Sequence, residues 1–123
     1  MFYLLVGERA TGKSEFVRNL GFKICTDYSD VIYQLLKGEN NLIIEDFHES
    51  DSSKFTSLIE YIWCHNKNNL IRSPFYMLQE DKMPKNINLY IVVNNIDAVP
   101  KNILFKCKPI YFKKEEWYDE KIN

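Results

Sequence analysis

Several things are scarce or missing in this sequence, and each absence excludes something. Cysteine occurs three times, at Cys25, Cys64 and Cys107, an odd number, far apart and in no CxxC or Cys/His spacing. That argues against a disulfide framework or a zinc site and fits reduced thiols in a cytoplasm. Charge of one sign is also lacking. Sixteen basic residues against 17 acidic ones leave a net charge of −1, so bulk charge recruits neither nucleic acid nor a membrane, and only a local patch can. The longest apolar run, Met1 to Val6, is far short of the roughly 20 residues that cross a bilayer. It has no basic n-region and no cleavage site, so it is not a signal peptide. Repeats, low-complexity tracts and linker-like stretches are absent. The expectation is one cytoplasmic domain, with no membrane partner.

What is present suits a packed core. Of 123 residues, 46% are hydrophobic and 15% aromatic, with 27% charged, which is a globular balance. A chain of this length can bury roughly two-thirds of the surface that it exposes when unfolded. Met1 to Val6 is a continuous apolar run ending at Gly7, as expected of a strand covered on both faces. Ser14 to Leu20 reads as a helix stopped by Gly21, and Phe22 to Cys25 as a short strand. A helix follows, carrying Val31, Ile32, Leu35 and Leu36, with Asp30 as its expected cap and Gly38 beyond its end. Asn41 to Ile44 is a buried strand running into Glu45 and Asp46. Asp51 or Ser52 caps a helix whose Phe55, Leu58, Ile59, Ile62 and Trp63 form one stripe.

Residues 67–86 read as a hairpin or extended excursion. Ile87 to Val93 is a strand ending in Asn94-Asn95. Pro100 opens a short helix at its first turn, and Cys107 to Phe112 is a last strand. The alternation predicts an α/β three-layer αβα sandwich with a mainly parallel five-stranded sheet. Residues 1–112 make one core, and 113–123 a charged C-terminal helix or tail.

The most specific feature is Gly7-Glu8-Arg9-Ala10-Thr11-Gly12-Lys13-Ser14, which matches G-x-x-x-x-G-K-[ST] at every position. Glycines let such a loop wrap until successive backbone N–H groups point inward at phosphate oxygens. Lys13 brings a point charge to the β- and γ-phosphates, and the Ser14 hydroxyl is suited to ligate Mg²⁺. The following helix aims the positive end of its dipole at the same anion. The motif lies between a buried strand and a helix, where this chemistry needs it. The pattern predicts nucleoside triphosphate binding, with ATP and Mg²⁺ as the expected ligands.

Two polar strand ends add to it. Leu42-Ile43-Ile44 ends in Glu45-Asp46, and in hydrolytic proteins with such a loop one acid serves the metal while its neighbour activates water. The order is Glu then Asp, so Glu45 is assigned to the metal and Asp46 to the general base. The same pair also suits a solvated strand end. Asn94 offers a donor and an acceptor to a γ-phosphate or lytic water, but asparagine also simply favours the entry to a turn.

A phosphate loop, an acid-pair strand and then a polar strand end resembles the AAA+ ATPases of the additional-strand P-loop group. That resemblance implies the strand order 5-1-4-3-2, with Asn94 in the sensor-one role. Asn94-Asn-Ile-Asp-Ala-Val-Pro100-Lys-Asn-Ile-Leu-Phe-Lys106-Cys107 is similar to the clamp-loader pattern, with Lys106 where those proteins carry an arginine finger. A lysine lacks the planar fork of Arg at that position. The chain also resembles viral superfamily-three helicase domains, whose acid strand ends in two acids and an aromatic, like Ile43-Ile-Glu-Asp-Phe47. There, residues 67–86 take the place of a DNA-contacting hairpin, with Lys67, Arg72, Lys82 and Lys85 as phosphate contacts. Read alone, those four are ordinary surface charge. Both resemblances imply ATP hydrolysis in DNA replication or remodelling. Both also imply assembly as a homo-oligomer, or with a partner subunit that supplies a finger and a lid. The eleven residues after 112 are too few for the helical lid of AAA+ proteins, and the adenine pocket that those proteins build ahead of the first strand is not expected here.

Arginine is the other scarce residue, at Arg9, Arg18 and Arg72 only. A finger must be one of these or Lys106, and each reads equally as surface or structural. His48 follows the acid pair and reads as a solvated loop histidine or as a residue coupling hydrolysis to a partner. His65 reads as a helix end with no catalytic partner, and Phe75 or Tyr76 could stack on a base. Two other readings remain: a slow or non-hydrolysing nucleotide switch, and a small P-loop kinase, for which so few arginines make a thin basic lid.

Overall fold

The computed structural model describes residues 1–8, 11–45, 52–69, 73, 78 and 80–113. Its strands are β1 (Phe2–Val6), β2 (Lys23–Cys25), β3 (Asn41–Ile44), β4 (Asn88–Val93) and β5 (Cys107–Tyr111). Between them lie α1 (Lys13–Leu20), α2 (Tyr28–Leu36), α3 (Ser52–Asn66) and α4 (Lys101–Leu104), with single 3-10 turns at Glu80–Lys82 and Ile96–Ala98. The strands form one sheet in the order β2-β3-β4-β1-β5, and every neighbouring pair is parallel. This is the predicted order 5-1-4-3-2 read from the other edge. β4 therefore lies between β1 and β3, which brings the ends of three central strands together at one edge.

Strand alternation sends side chains to opposite faces, and both faces are apolar. Phe2, Leu4 and Val6 of β1, Leu42 and Ile44 of β3, and Leu89, Ile91 and Val93 of β4 join one large cluster. Val31 and Leu35 of α2, Phe55, Leu58, Ile59 and Ile62 of α3, and Ile103 of α4 fill it from above. The residues between them, Leu5 and Ile43, meet Val17 of α1 on the other face, flanked by Phe16, Phe22, Tyr90, Val92, Ile110 and Phe112. The outcome is an α/β sandwich with a thick side of three helices and a thin side on which α1 is the described helix. Tyr3 and Tyr90 stack on that thin side at 4.8 Å between ring centroids.

Local chemistry accounts for the element ends. The cap of α2 differs from expectation: Asp27 holds the N-cap, its Oδ1 accepting the Asp30 N–H at 2.9 Å. Asp30 instead turns back, its Oδ2 accepting the Thr26 N–H and hydroxyl at 3.0 and 2.9 Å. Two acids three apart can both cap, and the one just outside the first turn wins because its oxygen reaches N3 without bending the helix. Pro100 stands just before α4 as its N-cap rather than within the first turn. The start of β4 is fixed by Asn66 at the end of α3. Its Nδ2 donates to Ile87 O and its Oδ1 accepts the Ile87 N–H, both at 2.8 Å. Of residues 67–86, expected as a hairpin or extended excursion, 70–72, 74–77 and 79 lie outside the described residues, and the others include the 3-10 turn Glu80–Lys82 and no strand. The helix or tail expected over 113–123 lies outside them from 114 onward. No helix among the described residues is long and apolar enough to cross a membrane.

Candidate functional site

All five strands point their C-terminal ends to one edge, and the phosphate loop opens there from β1. Gly7 N–H donates to Val93 O at 3.2 Å, so the loop leaves the sheet hydrogen-bonded to the end of β4. Gly7 is buried and tightly enclosed. A Cβ at that position would lie 2.6 Å from Phe112 O, 2.9 Å from Phe112 Cβ and 2.9 Å from Thr11 Oγ1. The requirement for glycine at the motif's first position is thus one of space, set by the end of β5. At Gly12 the requirement is conformational, since φ is +91° and a Cβ would meet nothing. Thr11 Oγ1 donates to Glu8 O at 2.7 Å and closes the turn between them. Arg9 and Ala10 lie outside the described residues.

Gly12 is also the N-cap of α1, and it supplies no side-chain cap. α2 starts after a strand at the same sheet edge and is capped by its own Asp27. The contrast matters, because the first N–H groups of a helix need an acceptor. At α2 the chain provides one. At α1 the N-cap is a glycine, which has no side-chain acceptor to offer. Ser14 stands in this first turn.

Lys13 is the one buried charged residue among those described, 7% exposed. Its ammonium donates to Gly7 O, to Val93 O at 3.1 Å and to Asn94 Oδ1 at 2.7 Å. An ammonium has three N–H donors, so the group is saturated by the ends of β1 and β4. Burial lowers its pKa from the usual lysine value. The strand order makes this contact: Val6 pairs with Val93, so Asn94 stands level with Gly7. Sequence reasoning assigned Asn94 to the γ-phosphate and missed its bond to Lys13. The signal was present in a polar residue directly after an apolar strand, once that strand is placed beside β1.

Glu45 follows β3. Its N–H donates to Cys25 O at 2.9 Å, which extends the β2–β3 ladder by one residue. Ile44 pairs with Ile91 and Ile91 with Leu4, so Glu45 is level with Val92 and Leu5. It is therefore about 10 Å across the sheet from β1, at two strand spacings, and set back from the loop's level. Asp46 and His48 lie outside the described residues, so of the acid pair the structure positions Glu45 alone. Among the described residues there is no group of three or more His, Cys, Asp or Glu suited to a metal. Mg²⁺ does not need one. It binds through one or two protein oxygens together with substrate phosphates, and Ser14 and Glu45 have the hard oxygen chemistry for that.

Lys106 lies elsewhere. It immediately precedes β5, whose first residue Cys107 pairs with Phe2, at the edge opposite the loop. The five residues of β1 separate the two edges by roughly 17 Å. Lys106 Nζ donates to Asn102 O at 2.9 Å and lies 3.9 Å from Glu60 Oε1, which also accepts from Asn102 Nδ2 at 2.9 Å. Its ammonium thus braces α4 against α3 and does not serve the loop of its own chain. His65 Nε2 lies 2.7 Å from Pro84 O, away from the loop. Of the basic residues in 67–86, Lys67 sits over the Trp63 ring at 4.5 Å, and Lys82 and Lys85 are exposed. Arg72 lies outside the described residues.

Compared with protein-family models, curated proteins and solved structures, the chain shows no match.

Proposed function

We propose that this chain binds Mg·ATP at the Gly7–Ser14 loop and hydrolyses it, as the nucleotide core of an AAA+ or helicase-like assembly. The observation that carries the reading is a buried Lys13 whose ammonium stands at the mouth of the loop, beside a helix N-terminus without a side-chain cap. Burying an ammonium is costly unless it has partners, and this one is held at the start of the loop by Gly7 O, Val93 O and Asn94 Oδ1. The five-stranded parallel order with β4 beside β1 supports the same reading, because it sets Asn94 against Lys13 and Glu45 one strand further out.

In this reading the backbone N–H groups of the loop and of the first turn of α1 hold the phosphate oxygens. Lys13 places positive charge at the β- and γ-phosphates. Ser14 and Glu45 would hold Mg²⁺, which would neutralise charge on the phosphate oxygens. Asp46 accepts a proton from the attacking water, and Asn94 responds to the γ-phosphate. Such catalysis is positioning plus charge stabilisation, so an incomplete charge clamp means slow turnover in the isolated chain. Lys106 is braced at the far edge, and Lys13 is the cation that the described contacts bring to the loop. A neighbouring subunit is therefore the natural source of a second charge, and DNA contacted through residues 67–86 the natural effector.

Phosphate release from ATP, with and without single-stranded DNA, tests the reading in wild type and Asp46→Asn. Release that is lost in Asp46→Asn supports hydrolysis, and stimulation by DNA supports the replication or remodelling setting. Tight ATP binding with no release under any condition replaces the ATPase with a nucleotide switch. Phosphate appearing on an added small molecule replaces it with a kinase.

A further inference from the structure

The three bonds of Lys13 differ in kind. Gly7 O and Val93 O are main-chain carbonyls at the ends of β1 and β4, fixed by the sheet. The third acceptor, Asn94 Oδ1, belongs to the side chain of an exposed residue just past the end of β4. Lys13 is a donor only, so the amide must present its oxygen, not its nitrogen, to the ammonium. With all three N–H groups engaged, Lys13 cannot also donate to a phosphoryl oxygen. One bond must be given up, and only the amide can rotate away without disturbing the sheet.

We propose that Asn94 is a placeholder for the γ-phosphate: its amide oxygen occupies the position on Lys13 that a terminal phosphoryl oxygen takes when a triphosphate binds. This deepens the nucleotide reading and rests on it. Asn94 then senses the terminal phosphate by being displaced, rather than by ligating it. A ligand with three linked phosphates evicts the amide, while one with two leaves it in place. Displacement has a route outward. Asn94 is followed by Asn95, whose Oδ1 accepts the Asp97 N–H at 3.0 Å and caps the 3-10 turn Ile96–Ala98, and that turn leads through Val99 and Pro100 into α4. The same amide–ammonium bond positions Lys13 at the loop and makes it report on what binds there.

Calorimetric titration with inorganic tripolyphosphate and pyrophosphate, each with Mg²⁺, tests the proposal in wild type, Asn94→Ala and Lys13→Ala. Competition predicts that Asn94→Ala binds tripolyphosphate tighter than wild type by roughly three- to tenfold, the worth of one hydrogen bond. Pyrophosphate affinity should change by less than about twofold, because that bond is not contested. In the wild type, the Asn94 side-chain amide resonances should shift with tripolyphosphate and hold still with pyrophosphate. Weaker tripolyphosphate binding in Asn94→Ala makes the amide a ligand and overturns the proposal, as does an equal shift with both anions. Failure of the nucleotide reading looks different: wild type then binds neither anion, and Lys13→Ala is indistinguishable from it.

Discussion

Replacing Gly7 with alanine should destabilise the protein even when no nucleotide is present, and the structure sets the scale. The new methyl would sit 2.6 Å from Phe112 O and 2.9 Å from both Phe112 Cβ and Thr11 Oγ1. Two of these atoms are fixed to the backbone at the end of β5, where Phe112 N–H is bonded to Val6 O at 2.7 Å. The third can rotate only by giving up its bond to Glu8 O. Relief therefore means levering the end of β5 from β1, an overpacking cost of about 2 kcal/mol. For a domain of this size that corresponds to a fall in Tm of roughly 8 °C. Gly12→Ala is the control. It meets no atom but must hold φ at +91°, which costs about 1 kcal/mol, or roughly 4 °C. Thermal unfolding followed by circular dichroism, without ligand, measures both. A Gly7→Ala protein that melts with the wild type, or a Gly12→Ala protein less stable than Gly7→Ala, would refute the claim that β5 closes on the loop.

Other consequences are as direct. Asn66→Ala removes both side-chain bonds to the Ile87 backbone and should cost about 2 kcal/mol. It should be read as a lower urea midpoint with an unchanged slope. Burial, with Asp30 and Asp27 nearby, pushes the Cys25 thiol from 9.0 up to about 12. Between those values the unfolded thiol is ionised and the folded one is not, so the native state binds more protons and stability falls as pH rises across that window. Cys25→Ala should flatten that fall in urea titrations, and an unchanged slope would remove Cys25 as its source. Burial also raises the Cys107 thiol, to about 11, against the opposing charge of Lys106. Cys25 and Cys107 should therefore react only slowly with a thiol reagent near neutral pH, as mass spectrometry of the partly labelled protein can establish.

Much of the fold was legible because its central strands β1, β3 and β4 are largely apolar runs ending at glycine, acid or asparagine. Each strand begins and ends within one residue of where the pattern put it. Their order was not legible from periodicity. Alternation says that a strand is covered on two faces and nothing about its neighbours, so β4 beside β1 came only through the AAA+ resemblance. That adjacency made the difference at the site. Gly7, Gly12 and Lys13 could be picked from the motif, whereas the bond between Lys13 and Asn94 joins residues 81 positions apart and depends on the order of the sheet. The closure of Phe112 over Gly7 was hidden for the same reason, since it depends on β5 lying at the other side of β1. At α2 the error was local. Asp27 and Asp30 are chemically equal as caps, and only the Thr26 backbone, which Asp30 satisfies, separates their roles.

If the buried ammonium of Lys13 meets a phosphate chain, titration of Mg·ATP into wild type and Lys13→Ala, with the fold of each checked by circular dichroism, will separate the two proteins. Wild type should bind one ATP saturably, and Lys13→Ala should lose at least about tenfold in affinity, the scale of a charge-assisted bond to phosphate. Wild type that takes up no ATP, or a folded Lys13→Ala that binds it as well, would mean that Lys13 serves no nucleotide.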